Sequence, residues 1–512
     1  MAFVTNLIGL IACVVLAIFL ARWAFALPRV THRTNSTALP PNGDGALAQA
    51  LATRSTAHDG KTGFCPLPDG KDAFAARMVL ADTAVSSIDA QYYIWRGDMT
   101  GYLLLDALLR AAQRGVRVRL LLDDNGISGL DGPLSTLNAH PNAEVRLYNP
   151  FTLRRFKLLS YTFDFFRLNR RMHNKSFTVD GRVTIMGGRN IGDEYFGASA
   201  SRLFLDLDVL AVGQIVPRVS ADFDRYWAAP PVHPAGLILR KWEGPDAIAA
   251  GLRRFDDAPQ LRDYGETLRH SDIVTALKQG TLDLEWADAL LVSDDPIKGQ
   301  GAVPREDLLA TRLMQAVGKI ETKFDGVTPY FVPGAAGVSA FTTLGARGVR
   351  VRMMTNALNS NDVLAVHAGY AKRRVAMLKA GVKLFELRAQ SAQTTPRRKM
   401  GPFGSSGSAL HAKTFAVDGA RVFVGSFNFD PRSATLNTEM GLLIDSSNMA
   451  QAMHDAFDHG LDDIAWRVER RPLGLVWIDA AANTQTRHEP GATLGKRIAL
   501  GIVARLPIEW LL

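Results

Sequence analysis

Cysteine is nearly missing from this sequence. Its two copies, Cys13 inside an apolar N-terminal run and Cys65 far beyond it, argue against a disulfide framework, and neither has metal-ligand spacing. An acidic excess is missing too: 59 Lys and Arg against 50 Asp and Glu leave a net charge of +9, which favours an anionic partner, either a lipid bilayer or nucleic acid. Charge alone does not choose between them. The polar bias of a disordered chain is also absent, since 47% of residues are hydrophobic and 21% charged. At 512 residues the chain exceeds what one hydrophobic core supports, so two domains are expected.

No charge interrupts Phe3 to Ala21, a run long enough to cross a hydrocarbon core as a helix. Residues 1–27 therefore read as a membrane anchor or signal segment. The rivals to an anchor are a signal peptide cleaved near Ala24–Ala26 and a lipoprotein signal ending at Cys13; no basic side chain precedes the run, as either would require. Arg22, Arg29 and Arg33 follow it, which favours a cytoplasmic body. Residues 28–60, with their NST, PP and NGDG clusters, read as a linker.

Two stretches of matched spacing organise the rest. His173 to Asn190, HNKSFTVDGRVTIMGGRN, and His411 to Asn428, HAKTFAVDGARVFVGSFN, each run His, Lys two later, Asp seven after the His, a small-residue pair and an Asn. Each contains two β-rich runs about an Asp-Gly turn, a hairpin pattern. Residues two apart on a strand share a face, so His173 points with Lys175 and His411 with Lys413. A titratable base beside a fixed cation suits a phosphate better than a metal, and Asn190 and Asn428 supply amide hydrogens for an oxyanion. One such pair is unremarkable on a solvated edge strand; two in register imply two half-sites.

The duplication extends beyond the hairpins. A helix-periodic stretch to Ala81, the strand IDAQYYIW, the helix TGYLLLDALLRAAQRG and the strand VRVRLLLDD make a β-α-β unit, which predicts a largely parallel sheet covered by helices. A strand at GVTPYFV, a helix over Gly337–Gly348 and VRVRMMTN repeat it, and RGVRVR at Arg114–Arg119 returns at Arg347–Arg352. The expected plan is a first lobe over 61–231, a loop-rich connection without chemistry over 232–305, a second lobe over 306–475 and a C-terminal tail over 476–512. Phe151–Arg171 interleaves aromatics with cations, as a packed helix, a nucleic-acid stacking surface or a lipid-interfacial segment would. The tail GKRIALGIVARLPIEWLL reads as a helix docked on the protein or lying on a membrane. Arg397–Lys399 fall in a Gly/Ser/Pro-rich loop, either solvated or bordering the site.

The doubled HxKxxxxDxxxxxxGGxN pattern resembles the phospholipase D superfamily, with Ser426 replacing the second Gly in the second copy. Wider stretches, among them QYYIWRGD, GGRNIGDEYF, GSFNFDPRS and NTEMG, are similar to bacterial cardiolipin synthases of the C type. The resemblance implies an α/β fold of two pseudo-twofold related α/β/α sandwich lobes with mixed, largely parallel sheets. It implies a transferase in which His173, Lys175, Asp180, His411, Lys413 and Asp418 form the catalytic set, with His173 as nucleophile and His411 as general acid and base. Lys175, Lys413, Asn190 and Asn428 would bind the phosphate, with no metal and no cofactor. The substrates implied are phosphatidylethanolamine and phosphatidylglycerol at a membrane surface, with nucleic acid an unlikely partner; hydrolysis of a phospholipid and nuclease action are the alternatives. A carboxylate downstream of each motif would orient each imidazole: Glu439, 28 after His411, and Asp208, 35 after His173, with Asp206 its competitor. Asp180 and Asp418, beside their turn glycines, also suit a structural role, and Ser433 either orients the second half-site or caps a turn.

Overall fold

Leu104, Leu105, Leu108 and Ala112 recur at three- and four-residue spacing, and Asp98 caps the turn before them by accepting from the Gly101 amide, so Met99–Gln113 folds as a helix with one buried face. Gly115, at φ +95°, turns the chain back into a second extended run parallel to the one before the helix. The computed structural model describes this chain except for residues 1, 32, 42–44, 46–49, 51–53, 200–202, 243, 245, 362 and 389–408, and Arg397–Lys399 lie outside the described residues.

The first lobe contains β1 (Thr62–Leu67), α2 (Gly70–Thr83), β2 (Ser87–Ile94), α3 (Met99–Gln113), β3 (Arg117–Gly126), β4 (Ala143–Tyr148), α4 (Lys157–Leu168), β5 (Ser176–Val179), β6 (Val183–Gly187), β7 (Phe204–Leu205), β8 (Asp208–Gly213), α5 (Ile215–Trp227) and β9 (Val232–Pro234), after the N-terminal α1 (Ala2–Ala24). Its nine-stranded sheet runs β10-β1-β8-β6-β5-β2-β3-β4-β9, where β10 is Glu285–Ala287. The second lobe contains β11 (Ala289–Ser293), α9 (Leu309–Val317), β12 (Lys323–Val327), α10 (Gly334–Ala346), β13 (Arg350–Asn356), α11 (Leu364–Lys379), β14 (Lys383–Leu387), β15 (Ala409–Leu410), β16 (Thr414–Val417), β17 (Arg421–Gly425), β18 (Met440–Ile444), α12 (Ser447–His459), β19 (Ala465–Arg471), β20 (Gly474–Asp479), β21 (Thr484–Thr486) and α13 (Leu494–Val503). Its ten-stranded sheet runs β11-β18-β17-β16-β12-β13-β14-β19-β20-β21. Seven consecutive positions, β8 to β9 and β18 to β19, follow the same order, so the repeated sequence yields a repeated topology.

The two large sheets are mixed, as expected, but within them parallel pairing is confined to β2–β3–β4 and β12–β13–β14, and their other ladders among the described residues are antiparallel. The crossover units read from the sequence supply the parallel strands; the motif hairpins insert antiparallel ones beside them. The strand expected at GVTPYFV ends at Val327, because Pro329 and Pro333 cannot continue the ladder. Residues 232–305 do more than connect: α6 (Ala247–Leu252) packs on α3, α8 (Asp272–Gln279) packs on α2, with α7 (Pro259–Arg269) beside it, while β10 and β11 extend one sheet each. Residues 474–486 are sheet strands, so the tail proper begins after them.

The described part of 28–60 lies along the first lobe instead of hanging free. Arg33 donates to the carbonyls of Ala229 and Val232 at 2.8 and 2.7 Å, and the Ser36 carbonyl accepts from buried Arg119 at 2.7 Å. The apolar side chains of α1 over Phe3–Ala24 are left unburied, and the helix meets the body at α4. Each lobe has its own core, and a third joins them: Met186, Val209, Val216 and Val219 pack with Val327, Met354, Ala416, Val424, Leu442 and Phe457. The two half-sites meet at the edge of this shared core.

Candidate active site

Each motif hairpin turns through left-handed backbone at its Asp-Gly pair, φ +53° and +63° at Asp180 and Gly181, +54° and +68° at Asp418 and Gly419. Asp180 accepts from the Ser86 and Ser87 amides at 2.8 and 3.0 Å, and Asp418 from the Glu321, Thr322 and Lys323 amides at 2.8 to 2.9 Å. Both carboxylates thus pin the hairpin to the loop before the next strand, and neither reaches a histidine. Their inclusion in the catalytic set is corrected: the turn that brings Asp beside Gly carries it to the far end of the hairpin from the His.

At the near ends the lobes interlock. The His173 amide donates to Thr438 O at 2.9 Å, and the His411 amide donates to Leu205 O at 2.7 Å, where β7 and β15 form a parallel two-stranded sheet. Each histidine is therefore held by the segment preceding the other lobe's carboxylate. Glu439 Oε2 lies 2.8 Å from His173 Nδ1, and Asp206 Oδ2 lies 2.5 Å from His411 Nδ1. The orienting contacts cross the lobe boundary in both directions.

This replaces Asp208 with Asp206 as the carboxylate on a histidine. The Gly188 amide bonds Leu207 O and the Ser426 amide bonds Met440 O, so Asp206 is the structural counterpart of Glu439 and Asp208 that of Gly441. Asp208, two residues on, is bound instead by the buried Arg77 at 2.8 Å, with Arg189 at 3.6 Å. Ser426 explains itself here, since its hydroxyl hydrogen-bonds Glu439 Oε2; in the first lobe a Cβ at Gly188 would meet Asp206 Oδ1 at 2.1 Å. Asp294, from the connecting segment, accepts from the Glu439 amide at 3.0 Å and from Lys298 at 2.8 Å, a support that no motif announced.

Both lysines fold back on their histidines: Lys175 Nζ donates to His173 O at 2.6 Å, and Lys413 Nζ lies 3.1 and 3.3 Å from the two ring nitrogens of His411. Asn190 donates to the Tyr195 hydroxyl at 3.1 Å and accepts from the Ile94 amide at 3.1 Å, while Asn428 lies 3.4 Å from the Ser433 and Thr328 hydroxyls. Aromatic edges bracket the imidazoles, Tyr93 at 5.0 Å from His173 and Tyr195 and Phe204 at 5.1 Å from His411. Among the described residues no three His, Cys, Asp or Glu side chains converge as metal ligands.

Burial lowers the pKa of His173 well below the usual histidine value, and Lys175, Lys413 and His411 add to the fall. Burial and Lys413 bring His411 down to about 4 against the pull of Asp206. That each histidine feels the other lobe's lysine places both half-sites in one electrostatic field. Burial opposes ionisation of Asp206, yet His411, Lys413 and Arg189 outweigh it and hold the carboxyl at about 2. Burial wins at Glu439, whose carboxyl is pushed up to about 7 although Lys175, Ser426 and Ser433 favour its charge. Lys175 is itself drawn well below the lysine range by burial. Two imidazoles, two lysines, one firmly ionised carboxylate and one that titrates near neutrality thus surround a single locus.

Residues 79–227 and 312–461 match the family described as cardiolipin synthase, PLD-like domain. Cardiolipin synthase C of Escherichia coli (strain K12) is 47% identical over 471 residues, covering 91% of this chain and 99% of that protein. A cardiolipin synthase of Staphylococcus aureus (strain N315) is 26% identical over 400 residues, 78% of this chain and 66% of that one. Among solved structures, phosphatidylserine synthase of Haemophilus influenzae Rd KW20 has the same fold at a TM-score of 0.54 and 14% identity, with 91% and 99% of the two chains covered.

Proposed function

Since the chain belongs to the cardiolipin synthase family of phospholipase D-like enzymes, we propose that it transfers a phosphatidyl group from phosphatidylethanolamine to phosphatidylglycerol, forming cardiolipin at the bacterial inner membrane. The observation that carries this reading is the crossed pair of contacts, Glu439 to His173 and Asp206 to His411, which directs both imidazoles to one locus.

With Glu439 ionised, the Nδ1 hydrogen of His173 is held and the lone pair of Nε2 faces the phosphorus. Nε2 attacks, the bond to the ethanolamine oxygen breaks, and His411 gives that oxygen its proton. The permanent negative charge of Asp206 stabilises the imidazolium that His411 must carry. Lys175, Lys413, Asn190 and Asn428 hold the non-bridging oxygens as charge accumulates on them; an amide nitrogen has two hydrogens, so each Asn can keep its present bond and donate another. In the second half, His411 removes a proton from the glycerol hydroxyl of phosphatidylglycerol, the oxygen attacks phosphorus and the bond to His173 Nε2 breaks. The products are cardiolipin, free ethanolamine and the original enzyme. The difference between the two carboxylates, one fixed on His411 and one titrating on His173, supports this division of roles.

Lipids on both sides of the reaction agree with the surface. Besides α1, the helix α4 exposes Leu158 and Phe166 at 82% and 77%, flanked by Arg154, Arg155 and Lys157, and α13 exposes Leu494, Ile498 and Ile502. Arg432 ties these regions together by donating to Asn169 O at 2.8 Å, at the end of α4, and to Leu511 O at 3.2 Å. Phe25 of the anchor stacks on Phe163 of α4 at 5.7 Å. We read these faces as one apolar rim beside the site, with the body on the cytoplasmic side as Arg22, Arg29 and Arg33 suggest.

The test is purified full-length protein in vesicles of the two phospholipids. Cardiolipin with an equimolar release of ethanolamine is expected; phosphatidic acid alone would instead mark a hydrolase, and cleavage of added plasmid a nuclease.

A further inference from the structure

The two lobes share seven consecutive strand positions, yet their outer helical layers differ. In the first lobe α2 and α3 pack on each other and are covered by α6, α7 and α8, and α3 buries Tyr102, Leu104, Leu105, Leu108 and Leu109 among others. The matching helices of the second lobe are α9 and α10, and α10 buries Phe341 alone. α10 packs on α11, but among the described residues no helices lie over α9 and α10 as α6, α7 and α8 lie over α2 and α3. Between them and the sheet lies an apolar groove of about 930 Å³, lined by Leu313, Phe324, Phe341, Leu344, Phe427 and Phe429 among others. That volume is within the range that takes an organic ligand.

The position of the groove says what it takes. Phe427 and Phe429 form part of its wall, and Asn428 between them is turned to Thr328 and Ser433 at the catalytic side. The wall continues through Asp430, Pro431 and Thr435. The short helix Pro431–Thr435 is also the seat of the C-terminal segment, whose Leu512 carbonyl accepts from the Arg432 amide at 2.6 Å and whose Trp510 is half exposed. One end of the groove therefore abuts the phosphate locus and the other the apolar rim. Apolar surface open to water in this way is covered in use. Resting on the reading given under Proposed function, we propose that the groove between α9 and α10 receives one acyl chain of the phospholipid whose phosphate sits at Asn428, drawn in from the bilayer past the C-terminal segment. The second lobe is then a tail-binding half, and the covered first lobe is not.

The experiment uses the full chain in mixed vesicles of phosphatidylethanolamine and phosphatidylglycerol, each in turn carrying a photoreactive diazirine near an acyl terminus. Adducts are expected on residues 309–317 and 334–346, and Ala340→Trp, which fills the groove from an exposed lining position, removes them. The same variant should lower cardiolipin formation from dioleoyl lipids about tenfold and leave that from dihexanoyl lipids in detergent within about twofold. Adducts confined to the first lobe or the rim, a groove-to-groove crosslink between two copies, or an Ala340→Trp variant that labels and turns over as the parent does would each overturn the proposal. Labelling reports on the groove without turnover, so a protein that labels there but makes no cardiolipin overturns the proposed reaction and not the tail site.

Discussion

Glu439 of the second lobe and His173 of the first stand 2.8 Å apart, carboxylate to Nδ1, although 266 residues separate them. Burial pushes this carboxyl up to about 7, whereas Asp206 on the other histidine stays ionised at about 2. The two half-sites therefore respond differently to pH.

Protonated Glu439 can donate to Nδ1 and send the imidazole hydrogen to Nε2, the atom that must attack. Turnover should thus rise with pH through about 7 and level off above it. Glu439→Gln should lower the rate and abolish that rise in a pH profile of kcat. The sign for stability is opposite. A carboxyl raised in the folded state stabilises it below the ordinary glutamate range and loses that contribution as pH climbs through about 7. Glu439→Gln should therefore raise stability, and with it Tm, relative to the parent at pH 8 and not at pH 5, by roughly 1–3 kcal/mol at most. A higher Tm at both pH values would refute the linkage.

Asp206 and Asp208 should separate function from folding. Asp206→Asn keeps the shape but removes the charge that orients His411, so kcat should fall by about two to four orders of magnitude with a smaller loss of stability than Asp208→Asn brings. Asp208→Asn leaves Arg77 and Arg189 short of a counter-charge in a fully buried setting, for which a loss of about 3–5 kcal/mol is expected. Chemical denaturation and kinetics on both variants check this; equal kinetic damage with equal stability loss would contradict it.

That pair also marks what could be read from the chain. The spacing of His, Lys, Asp and Asn in each motif is local, and a hairpin preserves it, so the half-sites were legible. Which carboxylate meets which ring depends on how the lobes pack and on strand parity. A slip of two residues keeps a side chain on the same face, so LDLD offered two acids that alternation cannot rank. Similarly, VRVR revealed the parallel strands and the Asp-Gly turns the hairpins, but not the antiparallel ladders that set the hairpins beside those strands, and 232–305 hid Asp294 because its partner, the Glu439 amide, is distant in sequence.

The turn carboxylates should act on folding alone. Asp180→Ala strands the buried amide of Ser87 and the half-buried one of Ser86, at a cost of about 2–4 kcal/mol. Asp418, which is more exposed, should cost less on the same substitution. In each variant the kcat of the folded fraction should stay within about twofold of the parent, because neither carboxylate touches a histidine. Urea titration with activity corrected for folded protein decides the point, and a large kcat loss at full folding would return these residues to the chemistry.

The apolar rim makes a last distinction, between binding a bilayer and performing the reaction. Leu158 and Phe166 project from α4 into solvent, 82% and 77% exposed, so their replacement removes little packing within the protein. If they enter the headgroup region, each contributes hydrophobic transfer energy of about 1–3 kcal/mol, and a carboxylate there is also repelled by anionic lipid. Leu158→Glu with Phe166→Glu should accordingly reduce cardiolipin formation on phosphatidylglycerol-rich vesicles by about tenfold or more, through a raised apparent KM for lipid surface. On short-chain lipids dispersed in detergent, where no surface need be engaged, the same protein should match its parent. The effect should also grow as the anionic lipid fraction rises, since only the charge term depends on it. Equal losses on vesicles and detergent would place α4 in the fold's support of Tyr161 and Arg171, and not on the membrane.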